Sequence, residues 1–373
     1  MSDLISTIEE VKTETDSALR PVNTAFSTKV PNLQLYLDST SLGDFKSCAQ
    51  LYKYRIIDGY SSPYSSTDLF FGILFHSATE VYERSRASGI PHDESVIDAL
   101  RHAVMATWDN EKKRPWTSDV TDKSRNTLLR TIVWYLDTFK DENLKTVVFP
   151  NGDPAVEVSF RFDTGIRTEA KFECPVCFGA GAAKISGARK SEDSPGDIEF
   201  TIEQCTECNG TGAVGEPFYL CGHLDRVVYW NSELWIMDKK TTRYALDDNY
   251  FRQFSPDNQM SLYSVAGAVT LESEVGGLII DGCQVLVTGS RFRRKTIPRS
   301  PEQLEEWLVS LKHWLHWLEY CAKNDYWPQN ERSCGYGNRQ CQFRPVCSSD
   351  PSTRQEMLDG MYVRRTWDPL IPR

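Results

Sequence analysis

Cys174-Pro-Val-Cys177 is followed by Phe-Gly-Ala-Gly and Cys205-Thr-Glu-Cys208 by Asn-Gly-Thr-Gly, so the chain carries the pattern CxxCxGxG twice. Two residues between cysteines let both thiolates reach one ion in a tight knuckle, and the glycines accept the turns that aim backbone amides at sulfur. Two knuckles supply the four ligands of a tetrahedral Zn2+. Any fold must therefore bring residues 174–177 and 205–208 together, with the polar stretch Ala180–Gln204 read as a loop between them. A second group is scattered: Cys48, then Cys334, Cys341 and Cys347 in the tract SCGYGNRQCQFRPVC. The last three alone are one ligand short of a zinc site. Cys48 could complete a four-thiolate centre and staple the two ends of the chain together. Cys221, Cys283 and Cys321 lie in apolar or helical surroundings and read as buried structural thiols.

The CxxCxGxG repeat resembles the zinc knuckles of DnaJ-type chaperones as local metal chemistry, without implying chaperone function. Eleven cysteines would also suit a secreted disulfide protein. Met1–Val30, however, has no basic region followed by an apolar one, and no stretch approaches the roughly eighteen apolar residues of a membrane span. The expected compartment is a reducing cytoplasm, where clustered thiols bind metal. Forty-two Lys plus Arg against fifty-two Asp plus Glu leave a formal charge of −10, so the molecule is not a polycation and any nucleic-acid surface must be local.

Period and punctuation divide the chain. Residues 1–38 read as a flexible N-terminal tail. Residues 39–150 read as a helical region: Ser41–Phe45 start a helix running through Cys48, and Phe71, Leu74, Phe75, Ala78 and Tyr82 recur at helical spacing around His76 and Glu80. Further helices are expected near Glu94–Asn110 and Lys123–Glu142. From Ala155 the period changes to two, with Glu157 on the face of Ser159 and Arg161. Residues 151–330 form the expected core, with the knuckles inserted at 172–214. Within it, Phe218–Trp230 and Glu233–Asp238 read as strands joined by a turn at Asn231-Ser232, Gln259–Thr270 as a helix and Gly282–Thr288 as a strand. Glu302–Asn324 is a strongly amphipathic helix, and 331–373 holds the C-terminal cysteines.

Polar groups stand at unusual places in this pattern. Asp225 sits in Gly222-His-Leu-Asp225-Arg, and Asp238-Lys239-Lys240 ends a hydrophobic strand on which Asp238 and Lys240 share a face. Two carboxylates and an imidazole make a hard site suited to Mg2+ or Mn2+, and a nearby lysine can orient water and offset phosphate charge. That is the equipment of phosphodiester hydrolysis.

His76, Asp225, Asp238-Lys-Lys240 and Gln259-Met-Ser-Leu-Tyr263 occur in the order helix histidine, GxxD, DxK, QxxxY, which resembles the PD-(D/E)xK nuclease superfamily. The likeness is closer to its RecB-like branch, which includes AddB and the CRISPR-associated adaptation nucleases, and it covers roughly Ser41–Cys347. The resemblance implies an α/β fold, a restriction-endonuclease-like mixed sheet flanked by helices. It also implies that His76, Asp225, Asp238 and the Lys239 carbonyl ligate the catalytic metal, that Lys240 orients water, and that Gln259 and Tyr263 contact the nucleotide. Glu157 and Glu80 are weaker candidates. Iron–sulfur members carry one cysteine before the core and three after it, so Cys48, Cys334, Cys341 and Cys347 would by resemblance hold a [4Fe–4S] cluster; spacing alone does not distinguish it from zinc.

The expected function is that of a metal-dependent DNA exonuclease acting on single strands or ends in recombination, repair or phage DNA processing. Recombination or replication proteins are its expected partners and a bacterial or phage-infected cell its setting. Competing readings are a catalytically silent DNA-binding or assembly module and a structure-specific endonuclease. Arg291-Phe292-Arg293-Arg294-Lys295 and Arg299, with no acid between Gly282 and Pro301, are expected as a basic loop tracking phosphates while Phe292 stacks on a base. Arg332, Arg339 and Arg344 could extend it.

Overall fold

Strand and helix periods meet in one mixed sheet between two helical layers, in a computed structural model that describes residues 25–64, 66–189, 198–336 and 339–371. The chain enters at β1 (Tyr36–Leu37), which runs parallel to the long central strand. The flexible tail expected through residue 38 is corrected here. Leu33, Leu35 and Leu37, alternating with polar or half-exposed neighbours, are buried in the main core, while residues 1–24 lie outside the described part. Helix α1 (Ser39–Ser47) is capped by Asp38, whose carboxylate accepts the Ser41 amide, a contribution of about 1 kcal/mol. It does not run on through Cys48. That residue is extended (φ −166°, ψ 119°), and the helix resumes only at Ala49.

Three helices follow, close to their expected places: α2 (Thr67–Ala87, capped by Ser66), α3 (His92–Ala106) and α4 (Arg125–Phe139). Phe71, Leu74, Phe75, Ala78 and Tyr82 of α2 pack with Ala99, Ala103, Leu128, Ile132 and Tyr135. Cys283 and Val285 of the sheet close this second core from below.

The sheet itself comprises β2 (Lys145–Thr146), β3 (Val156–Arg167), β6 (Pro217–Trp230), β7 (Glu233–Thr242), β8 (Gly277–Val285) and β9 (Ser290–Ile297), together with β1. Its order is β1-β6-β7-β8-β9, with β2 and β3 also bonded to β6. Between β3 and β6 lies the knuckle insertion, which contains an antiparallel hairpin of β4 (Ala182–Arg189) and β5 (Ile198–Gln204) where a loop was expected. Its neck is closed by Phe172–Glu173 pairing with Ala213–Val214.

Asn231 (φ 50°) and Ser232 (φ 67°) form the two-residue turn between β6 and β7; positive φ at both positions suits the right-handed twist of a hairpin. β7 and β8 run parallel, joined through α5 (Asn258–Leu271), and every residue of β8 is buried, as for a strand covered on both faces. α6 (Pro301–Asn324) begins with a Ser300–Gln303 capping box and buries Trp307, Leu311, Leu315 and Leu318. Residues of α1, α5 and α6 form the main core with Ile236, Leu278 and Ile280. Cys221, Cys283 and Cys321 are buried, as expected of structural thiols. Among the described residues no helix is long and apolar enough to cross a membrane.

Candidate active site

The β6–β7 ladder has its last regular pair at Arg226 and Met237. One step further the strands part, and the Asp225 carboxylate takes over the role of a ladder acceptor, receiving the Lys239 amide at 2.9 Å. Gly222, three residues earlier, lies under the Phe160 ring, where a Cβ would come within 2.9 Å of it. Onto Asp225 α2 delivers His76, whose Nδ1 lies 3.3 Å from Oδ2. The His76 ring also hydrogen-bonds the Lys239 backbone. On the other edge of β6, the pairing of Leu224 with Val158 brings Glu157 opposite Asp225 at the next position. Glu157 has φ 51°, a left-handed conformation uncommon for a residue with a side chain and a local strain that turns the carboxylate toward its neighbours. Ligand atoms of His76, Glu157 and Asp225 all lie within 4.8 Å of one another.

A second string starts on β7. Strand alternation puts Asp238 and Lys240 on one face, and Nζ of Lys240 is 2.8 Å from Asp238 Oδ2. The same ammonium donates to Gln259 Oε1 at 3.0 Å, and Gln259 Nε2 donates to the Tyr263 hydroxyl at 3.0 Å, one turn along α5. His76, Asp225, Asp238, Lys239, Lys240, Gln259 and Tyr263 thus meet at one place. Glu80 does not join them: it pairs with Arg84 at 2.8 Å.

Burial sets the electrostatics. Asp238 is 1% exposed, and burial, countered by Lys240 and reinforced by Asp225, pushes its carboxyl up to about 6. At Asp225 burial also pushes upward, but His76, Lys240, Lys239 and the Lys239 amide more than reverse it, holding this carboxyl below its ordinary value. Burial lowers His76, with Asp225 opposing and both lysines assisting. At Lys240 burial pulls down, but Asp238 and Asp225 prevail and keep the ammonium protonated. Imidazole and carboxylate donors crowded in a buried place, with one carboxyl pushed toward neutrality, fit a divalent cation: its charge would relieve the repulsion that burial leaves between Asp225 and Asp238.

The basic segment departs from expectation. Arg291–Lys295 belongs to strand β9, paired along its length with β8, and is no loop. Alternation sends Phe292 and Arg294 inward. Phe292 packs edge-on against Tyr135 and Phe139, and Arg294 is bound by Glu142 and by Asp281 at 3.1 Å, so neither is presented to a nucleic-acid strand. Arg293 and Lys295 point to the other face and share Asp248, at 3.0 and 3.1 Å; Arg291 is exposed. Arg299 is spent on the Phe254 carbonyl and Ser255.

The four knuckle thiols are buried and also lie within 4.8 Å of one another. Sγ atoms are 3.9 Å apart for Cys174 and Cys205 and 3.6 Å for Cys177 and Cys208. A tetrahedral ion with Zn–S bonds of about 2.3 Å spaces its sulfurs about 3.8 Å apart. The Gly181 and Gly212 amides donate to Cys177 and Cys208 at 3.2 Å, and a Cβ at Gly212 would run into the Gly179 carbonyl. The scattered cysteines also converge, less tightly. Cys48 accepts the Asn330 amide at 3.3 Å, Cys341 donates its amide to the Cys334 carbonyl at 3.1 Å, and Cys347 is pushed up to about 11 by burial and then by Cys341, Cys48 and Cys334.

Glu157 and the residues behind the site, Glu83 and Arg226, are underweighted by sequence reasoning. A carboxylate between two valines at Val156-Glu157-Val158, at the start of an alternating strand, was the available signal for the first.

No curated protein sequence matches this chain significantly. Among solved structures, a Eubacterium rectale protein provisionally named an exonuclease superposes with a TM-score of 0.37 at 11% identity, covering 85% of this chain and 94% of its own. The sequence profile of the PD-(D/E)XK nuclease superfamily matches residues 39–348, a span that takes in every strand of the mixed sheet except β1, both helical layers and every residue of the cluster. By that match over most of its length, and with a restriction-endonuclease-like sheet to carry it, the chain belongs to the PD-(D/E)XK nuclease superfamily.

Proposed function

We propose that this nuclease is a Mg2+- or Mn2+-dependent deoxyribonuclease working as an exonuclease on single-stranded DNA or DNA ends, in recombination, repair or phage DNA processing. The observation that carries it is the meeting of His76, Glu157 and Asp225 beside the string Asp238, Lys240, Gln259 and Tyr263. His76, Asp225, Asp238 and the Lys239 carbonyl would hold the cation, with Glu157 joining them. When bound, such a cation lowers the pKa of water and offsets charge on the phosphoryl oxygens. Lys240, kept protonated by its carboxylates, acts as a fixed cation that orients water and phosphate and not as a base. Water adds to phosphorus and gives up a proton to solvent as the P–O bond to the leaving sugar breaks, and the leaving oxygen takes up a proton from solvent. Gln259 hands its amide between Lys240 and Tyr263, which fixes both against the nucleotide. Arg293 and Lys295 stand on the face of Lys240 and Asp238, two strands and roughly 10 Å away, and with Arg291 extend the cationic surface for the backbone.

The knuckles hold Zn2+ and the scattered cysteines a [4Fe–4S] cluster. Supporting the first is the sulfur spacing; supporting the second is a looser group of four thiols, since a cubane holds its ligands on a larger tetrahedron than a single ion does.

Protein purified without oxygen and incubated with end-labelled single- and double-stranded DNA plus Mn2+ or Mg2+ tests these assignments together. Terminal nucleotides released first indicate exonuclease action; internal cuts on a closed circle indicate an endonuclease. A brown absorbance band lost in Cys341→Ser and zinc content lost in Cys174→Ala would support the two thiolate centres. A colourless, zinc-free and inactive protein would overturn all three.

A further inference from the structure

Each residue of the His76–Glu157–Asp225 group has a neighbour, or a residue two turns away, that is tied by a guanidinium. Arg226 follows Asp225 on β6 and is 4% exposed. Its Nη2 lies 3.0 Å from Glu83 on α2, its Nη1 3.3 Å from Glu142, and its Nε donates to Thr146 of β2 at 2.9 Å. Glu83 is seven residues beyond His76, two turns and roughly 10 Å along the same stripe of α2. The next residue, Arg84, donates from Nη2 to the Val156 carbonyl at 2.8 Å, one residue before Glu157. The helix carrying His76 is therefore bonded to the strand carrying Asp225 and to the strand carrying Glu157.

Close packing alone does not account for these groups, for the space beside them is not filled on every side. A cavity of about 340 Å3 opens against Glu83, Glu142 and Arg226. Nor is stability a sufficient reason for them, because a buried ion pair is often matched or bettered by apolar side chains of similar volume. What directional bonds add is fixed distance and angle.

We propose that Arg226 and Glu83, assisted by Arg84, are positioning residues that set α2 against β6 and β3 and so hold His76, Asp225 and Glu157 in the geometry a divalent cation requires. The proposal rests on reading those three residues as a metal centre. Neither Arg226 nor Glu83 belongs to the ligand group; both act through their neighbours. Partners that orient metal ligands change affinity by about 10- to 100-fold when removed.

The test is Mn2+ titration of the full chain by calorimetry, with thermal melting monitored in parallel and kcat and KM measured on labelled single-stranded DNA. Arg226→Lys keeps the charge but reaches one acceptor in place of three. The double variant R226M/E83M removes both charges together, leaving Glu142 to its partner Arg294. Both are expected to fold, to bind Mn2+ about 10- to 100-fold more weakly than wild type, and to lose kcat with KM for DNA unchanged. A folded R226M/E83M with wild-type Mn2+ affinity would overturn the clamp. If the double variant does not fold, R226K decides by the same titration, and wild-type affinity there has the same force. Wild-type protein that takes up no Mn2+ overturns the metal centre itself, a result distinct from failure of the clamp.

Discussion

The two halves of the site are assembled differently. Asp238, Lys240, Gln259 and Tyr263 come from one strand and the next long helix, so strand alternation and one helical turn suffice to align them. His76, Glu157 and Asp225 come from α2, β3 and β6, and meet only because β6 parts from β7 at Asp225 and Glu157 adopts a left-handed backbone. Local periodicity places the first half; long-range bonding places the second. Under the proposed function the division also separates tasks in part: the second half would supply most of the ligands, and the first would add Asp238 as a ligand together with a fixed ammonium and hydrogen bonds to steer a nucleotide.

Substitutions can break that division or sharpen it. Asp225→Ala should have the largest effect, reducing nuclease activity to background together with Mn2+ uptake; retained metal-dependent cleavage in a gel assay would dismantle the ligand half. Lys240→Met should lower kcat about 10²- to 10³-fold, the scale of a lost charge-stabilising donor, while Mn2+ affinity stays nearly unaltered. Equal losses of both would merge the halves into one. For Glu157→Gln the order inverts: Mn2+ should bind about 10-fold more weakly with a smaller change in turnover at saturating metal, and an unchanged isotherm would remove Glu157 from the centre. Tyr263→Phe removes one hydrogen bond to Gln259 and should change kcat/KM by only about 2- to 10-fold. A loss as large as that of Lys240→Met would give Tyr263 a direct part in the chemistry.

The same contrast explains what could be read from the chain alone. The β6–β7 hairpin, α5 and α6 follow from short-range pattern, and so does the pairing of Asp238 with Lys240. The meeting of the two knuckles follows from the spacing of their cysteines. In Arg291–Lys295 the density of charge masks the period and suggests a loop; the inward pair Phe292 and Arg294 reveals the alternation of a strand. Leu33, Leu35 and Leu37 hid in the same way, an alternation too short to stand out beside a polar tail. Glu83 and Arg226 were not legible at all. An ion pair between an interior helix position and a strand position far along the chain leaves no periodic trace, and its cause is burial that only the assembled sheet creates.

The break of α1 at Cys48 has a bearing on how the protein comes into being. Ser47 accepts hydrogen bonds from Asn330 and Ser333, and the Cys48 thiol accepts the Asn330 amide across 282 residues of chain. Synthesis must therefore reach Ser333 before α1 can be locked in place. Until then the N-terminal segment waits with Leu37 and Leu42 lacking their final cover, a long closure whose entropic cost grows slowly with length but whose delay does not.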